Sequence, residues 1–470
     1  MRGSGRSTGG AKATPARKVA NARKGGTRKF SAAAMDQLVR QAASAPVELA
    51  FARCANRFSS SRWLDGTNQF ASDAGKKLES MTDAQVTAAF DDFADFVAAT
   101  TVLHCADGWT YLGRAMNAAS AGSLATAKHL TYYAELRAAM AFLACHGIAV
   151  ANRAHFALTS AYSCVRVSPE GTHKATWDLL RSWAKTPSAV ATTASVIRVA
   201  GTDLASWIAA KPTANSLPAA LPDLLQRWGL DLQEFGLDRA RRNAASYEPT
   251  RLNPAAPSPG AAWIVEHIDQ IWRLVEPGAA GSFPELDLIL LRQTVESLHK
   301  GVHGARSMGR PAYAAELTRM IVGAAAGSME DALLRRLDPA TREADPAIIA
   351  AALRPTPNAS DPTSVLAGMI GRALILLRLA TGAVLQLRDR AGVAGPQLEF
   401  WAEEMGVSHG FWEPGSRPVS LDEMWIDVEV AVDDIRVGAA PTMAALVSTQ
   451  GQPLTTAAGL DRVPVWSLSA

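Results

Sequence analysis

Through most of this chain apolar residues return every three or four positions, the spacing that lines one face of a helix. The clearest case is His129 to Phe156, HLTYYAELRAAMAFLACHGIAVANRAHF, where Tyr132, Leu136, Met140 and Leu143 form a face that Tyr133 widens. This pattern predicts a helix stopped at His146-Gly147, because glycine adopts the left-handed backbone of a helix end without a steric penalty. The same reasoning predicts helices from Ala32, over Thr82 to Ala98 with Thr82 or Asp83 as cap, and over Leu103 to Met116. Further ones follow over Ala175 to Trp183, Ala189 to Ala210 and Leu224 to Tyr247. In the second half the pattern predicts helices from Ala262, over Pro284 to His303, Tyr313 to Leu337, 347–353, 365–390 and Pro396 to Met405. Ser420-Leu421-Asp422-Glu423 reads as a capping box opening a helix that runs to Val437 and stops at Gly438.

Alternation over Phe156 to Val167, closed by Ser168-Pro169-Glu170-Gly171, predicts a short β-hairpin near 156–168. Runs of Val, Ile, Thr and aromatics suited to strands are otherwise scarce. The expected fold is therefore mainly α, a multi-helix bundle, with no internal repeat of fixed period. Five segments follow from the punctuation: a basic arm at 1–30, a helical domain at 31–248, a Pro-rich linker at 249–261, a second helical domain at 262–437, and a partly docked tail at 438–470. Val463, Val465 and Trp466 are the expected anchor of that tail.

One stretch changes the picture on hydropathy alone. Val365 to Leu387 is almost unbroken apolar sequence, long enough to span a bilayer. Arg372 and Arg378 interrupt it, and a guanidinium at mid-membrane is costly. The expectation is a buried helix whose arginines pair with carboxylates of Asp422 to Asp434, or else line a pocket for an anion.

Charge is placed unevenly. Arg2, Arg6, Lys12, Arg17, Lys18, Arg23, Lys24, Arg28 and Lys29 fall before the first acid, Asp36. Removing these nine charges from the net +3 leaves −6 on the rest of the chain. The arm is also rich in Gly, Ser and Thr, so by itself it is expected to be disordered. Its Gly-Gly pairs at 9–10 and 25–26 disfavour an amphipathic transit helix, and it lacks the apolar run of a signal peptide. Such asymmetry of charge suggests an anionic partner for the arm, whether nucleic acid, a membrane surface or the acidic body itself, and phosphate contact with nucleic acid is weighed against a merely solubilising tail. Cys54, Cys105, Cys145 and Cys164 show no C-x-x-C pairing and predict reduced, buried thiols in a cytoplasmic protein.

Candidate chemistry is sparse. Arg239, Arg241 and Arg242 form a basic cluster at a helix end, suited to a phosphate and equally to the helix dipole. His299 and His303 stand at i and i+4 with Glu296 one turn earlier, a set that could hold zinc. Lys300 beside them opposes a cation, so no metal and no cofactor are expected. No phosphate-binding glycine loop, dinucleotide fingerprint or nucleophile elbow occurs, which disfavours nucleotide-driven motors and common hydrolases.

The segment 129–156, together with RRNAASYEP at 241–249, GRALILLRLATGA at 371–383, and LEFWAEEMGV and LDEMWIDVEVAVDDI within 398–435, resembles uncharacterised bacterial YaaC-like and HEPN-type helical proteins. That resemblance implies a component of an antiphage-defence or toxin-like system, and metal-independent ribonuclease chemistry if it is an enzyme. HEPN catalysis uses Arg-x(4–6)-His, the His moving a proton and the Arg stabilising phosphorane oxygens. Arg292 with His299 fits on a predicted helix, whereas Arg166 with His173 spans a Pro-Gly turn. Spacings this short recur by chance in an Arg-rich chain. Arg242-Asn243 matches the favoured start, but Ser246 and Tyr247 stand where the His belongs. The turn Asn152-Arg153-Ala154-His155 sets its Arg and His too close for the motif.

Three functions stay open. One is a defence-type protein that contacts RNA or DNA through its arm, with catalysis unassigned. Another is a capsid or nucleocapsid subunit whose arm neutralises packaged genome. The last is a protein-binding scaffold. Protein partners or a homo-oligomer are expected in each, and a membrane in none.

Overall fold

The computed structural model describes residues 31–469 apart from 59, 211–233, 248–258, 279–280, 305, 307–310, 325–329, 354–360 and 439. The basic arm and most of the Pro-rich linker lie outside the described residues. The chain is mainly helical, with a three-stranded antiparallel sheet and a separate two-stranded hairpin.

The longest apolar run becomes the helix Pro362–Arg390. Asp361 caps it by accepting the Thr363 N–H at 3.0 Å, and Pro362 occupies the first turn, where a missing N–H costs nothing. Every residue from Val365 to Leu385 is buried. The helix packs against Phe90–Ser120 and Leu124–Cys145 on one side and Ala347–Leu353 on another. Ala45–Phe58, Pro187–Val196 and the last helix, Arg462–Ser469, also pack against it. Apolar residues from both halves of the chain thus share one core. Among the described residues this helix alone is long and apolar enough to cross a membrane, and its whole apolar window is buried within the protein.

Arg372 and Arg378 are each 1% exposed. The expected partners at 422–434 are not the ones used. Arg372 Nε donates to Asp238 at 3.2 Å, and Arg378 meets Asp287 through Nε at 2.6 Å and Nη2 at 2.8 Å. Those carboxylates belong to Glu234–Tyr247 and Pro284–His303. The acidic helix Asp422–Val437 packs instead mainly on Met443–Ala458 and Ala261–Val275. Nearness in sequence did not become nearness in space.

Several boundaries moved for local reasons. Thr82 forms the capping box with Gln85, but the helix it opens, Asp83–Ala88, kinks at Ala89 before Phe90–Ser120 begins. That second helix absorbs the predicted Leu103 to Met116. Ala189 to Ala210 is not one helix. Pro187–Val196 ends at Ile197, a hairpin pairs Arg198–Val199 with Thr202–Asp203, and Leu204–Ala209 follows. The turn places Ala200 at φ 50° and Gly201 at φ 77°, so glycine supplies half of a conformation no helix contains. Tyr313 to Leu337 is likewise two helices in its described parts, Pro311–Gly323 and Glu330–Leu337. Leu421, not Ser420, sits at the N-cap of Asp422–Val437, with no side-chain cap bond. In the C-terminal segment Val463, Val465 and Trp466 are buried, and the Trp466 ring lies 5.8 Å from those of Trp272 and Trp425.

The predicted hairpin belongs to a meander of β1 (Ile148–Ala151), β2 (Ala154–Leu158) and β3 (Cys164–Ser168). Gly147, at φ 76°, links Leu124–Cys145 to β1. A Cβ there would stand 2.3 Å from the Ala43 carbonyl oxygen, so both conformation and space require glycine. All four cysteines are free and buried.

Candidate functional site

The basic cluster at 239–242 gains a setting that its own sequence did not reveal. Glu234–Tyr247 carries Phe235, Asp238, Arg239, Arg242 and Ser246 at helical spacing along one side. It docks onto Leu124–Cys145 and touches Thr172–Trp183. Phe235 stacks on Trp177 with ring centroids 4.2 Å apart and planes 4° from parallel. Beneath, Asp238 is fully buried and accepts from both Arg372 and Arg241. Glu135, also fully buried, is held neutral well above the usual carboxylate range, first by burial and then by the charge of Asp238. Arg241 is therefore part of the helix anchor.

Above this anchor three helices bring His129, Tyr132, Tyr133, His173, Arg242 and Ser246 together. Tyr133 is the centre. Its ring lies 5.0 Å from His129, 5.8 Å from His173 and 5.4 Å from Tyr111. Arg242 stands 5.3 Å over the same ring and donates from Nη2 to the Tyr133 hydroxyl at 2.6 Å. The Arg242 Nε has no hydrogen-bond partner among the described residues.

The hydrogen bonds assign different tautomers to the two histidines. Ser246 Oγ donates to the Arg242 carbonyl at 2.8 Å, so it accepts from His129 Nδ1, 2.7 Å away. His129 Nε2 then carries a lone pair. Tyr132 Oη accepts from Trp177 Nε1 at 3.4 Å and so donates to His173 Nδ1 at 3.1 Å. His173 Nε2 then carries the proton. One imidazole can accept a proton while the other offers a hydrogen bond. Burial, and then Arg242, holds His129 below its usual range. His173 is lowered by burial, then by Arg242, Arg239 and His129. No carboxylate figures among the charges acting on either ring, so the local field is positive.

The other sequence candidates lie elsewhere. Arg292 and His299 share Pro284–His303, both buried, and each is engaged. Arg292 pairs with Asp345 and lies 3.8 Å from Glu296. It lines an open cleft of about 740 Å³ with Arg273, Arg335, Arg336 and Arg342. His299 bonds through Nδ1 to Glu316 Oε2 at 2.7 Å. Glu296 faces Arg292, Lys300 and Arg342, so it is not the third ligand suggested for His299 and His303. Asn152 and Arg153 form the exposed two-residue turn between β1 and β2, where Asn152 takes φ 45° and bonds Glu79. His155 is fully buried and donates from Nε2 to the Glu170 carbonyl at 2.8 Å, a structural tie. Arg378 Nη1 has no hydrogen-bond partner among the described residues, and Arg378 lines a cavity of about 500 Å³.

Sequence reasoning found the arginines of the Tyr133 site, weighed His173 only as a partner of Arg166, and did not single out His129. His129 and Tyr133 lie four residues apart on one helix, but nothing in the order of the chain joins them to His173 or Arg242, which come from two other helices. The one hint was Tyr133 widening a face already read as core. Comparison with known proteins adds nothing to this geometry: no family model, curated protein or solved structure matches the chain.

Proposed function

We propose that this protein binds nucleic acid, the Tyr133 site gripping one or two nucleotides while the basic arm 1–30 neutralises neighbouring phosphates. The observation carrying this reading is the coincidence of Arg239, Arg242, His129 and His173 around tyrosine rings, with no carboxylate among the charges acting on either histidine. Cations bind phosphate, and aromatic faces stack bases regardless of sequence. The resemblance of 129–156 to YaaC-like and HEPN-type proteins supports placing that binding in a defence or toxin-like system. A single strand is the preferred ligand, since unpaired bases can reach a ring set among helices.

The test is titration of fluorescent single-stranded RNA with the protein and its Arg239→Ala/Arg242→Ala variant. The double variant should bind roughly 10- to 100-fold more weakly at 0.1 M salt. Unchanged affinity in a folded variant would remove the site from this role. Elution as a very large, nucleic-acid-filled particle would favour the capsid reading. Incubation with unlabelled RNA checks for cleavage, which His129→Ala should abolish if the two tautomers serve acid–base chemistry.

A further inference from the structure

A second constellation lies at the end of Pro284–His303, apart from the nucleic-acid reading and independent of it. His299 and His303 stand one turn apart, with ring centroids separated by 4.7 Å. Glu316, from Pro311–Gly323, completes a trio whose ligand atoms all lie within 4.8 Å of one another. His299 and Glu316 are buried and His303 is exposed, so the trio reaches from the interior to solvent. The His299 Nε2 is buried with no hydrogen-bond partner among the described residues. So is the hydroxyl of Tyr313, whose ring lies 4.5 Å from His299. Unpaired polar atoms in an interior are costly, and a water or a bound group beside His299 would satisfy them.

The chemistry of the trio narrows that group. Two imidazoles and one carboxylate suit a borderline divalent ion, and three protein ligands leave a fourth position for water. Tetrahedral zinc with bonds of about 2.0–2.1 Å needs ligands closer together than 4.8 Å, so the ion would take the place of the proton that His299 Nδ1 and Glu316 Oε2 share at 2.7 Å, with His303 closing on it. The cations nearby do not oppose it. Lys300 and Arg342 turn to Glu296, at 3.6 and 3.4 Å, and Arg292 pairs with Asp345. We propose that His299, His303 and Glu316 form a binding site for one zinc-type divalent transition-metal ion.

Untagged full-length protein, stripped with chelator and dialysed, would be titrated with Zn²⁺ and, separately, Co²⁺. Calorimetry and elemental analysis should give one ion per chain, a raised thermal midpoint, and the visible bands of tetrahedral Co²⁺. His303→Ala removes an exposed ligand, so the metal-free variant should melt like the native chain. Its Zn²⁺ affinity should fall by roughly 10-fold or more. Glu316→Gln should lose the Co²⁺ bands while keeping its helical signal. Failure of the native chain to take up a stoichiometric ion overturns the proposal. So does a His303→Ala variant that melts normally and binds as tightly as the native chain.

Discussion

His146 sits where the helix Leu124–Cys145 ends, its ring 4.7 Å from Trp183 and 5.1 Å from Phe142. Burial, and then the charge of Arg390, lowers its pKa to about 3. The unfolded chain takes up this proton near pH 6.5, the folded chain only near 3. The stabilising preference for neutral His146 is therefore fully present above pH 6.5 and is lost as pH falls from 6.5 toward 3. The slope approaches about 1.4 kcal/mol per pH unit, an upper figure for one group. His146→Phe keeps the aromatic packing and removes the proton. Urea unfolding at pH 7 and pH 5 should show the variant losing about 2 kcal/mol less than the native chain over that interval. Equal losses would mean that His146 does not titrate with unfolding. Glu135 shows the opposite sign: its pKa is raised, so its contribution falls as pH rises above 4.5. The sequence marked His146-Gly147 as a helix stop but gave no sign of either shift, because both depend on what covers the residue.

At the scale of elements, the central helix shows what pairing requires. Arg378 and Asp287 are both almost fully buried, and burial raises Asp287 even though Arg378 pulls its pKa down. Removing one partner leaves the other charge unpaired in the core. Asp287→Asn or Arg378→Met alone should each destabilise by about 3–5 kcal/mol, measured by denaturant unfolding. The Asp287→Leu/Arg378→Met double variant should recover much of that loss, since an apolar pair of similar volume replaces the ion pair. A double variant as damaged as the sum of the singles would show that the pair contributes more than its own charge balance. Gly147 gives a sharper case. Gly147→Ala meets both a left-handed φ and the Ala43 carbonyl, so a loss of at least about 2 kcal/mol is expected in the same measurement. Periodicity found the central helix, the long Pro284–His303 helix and this stop, because each is a local property of spacing and of glycine. It merged Pro187–Val196 with Leu204–Ala209 because alanine on both sides masked a hairpin only six residues long, from Arg198 to Asp203.

At the scale of the molecule, charge is divided between a basic arm and a body of net −6. An arm that binds phosphates contributes through counterion release. Deleting residues 1–30 should therefore lower the slope of log affinity against log salt by several units, about one for each phosphate that the arm neutralises. The Arg239→Ala/Arg242→Ala change should lower it by at most about two, so the two surfaces can be told apart by salt titration alone. Burial, and then the arginine charges, hold His129 and His173 below their usual range, and a polyanion at the Tyr133 site would offset the arginine part. Binding should then take up protons and tighten as pH falls from 7 to 5.5. An arm-only interaction would show no such dependence in the Arg239→Ala/Arg242→Ala background.

By itself the sequence determined the mainly helical class, the position of the long apolar helix, the stop at Gly147 and the charge of the arm. Each rests on residues within a turn or two of one another, where spacing, propensity and steric limits act directly. Tertiary structure alone decided which carboxylates neutralise Arg372 and Arg378, that His173 and Arg242 join Tyr133, and that Glu316 rather than Glu296 faces His299. These pairings join residues far apart in the chain, and their energies come from desolvation and close approach. Such terms take a value only after the helices have packed.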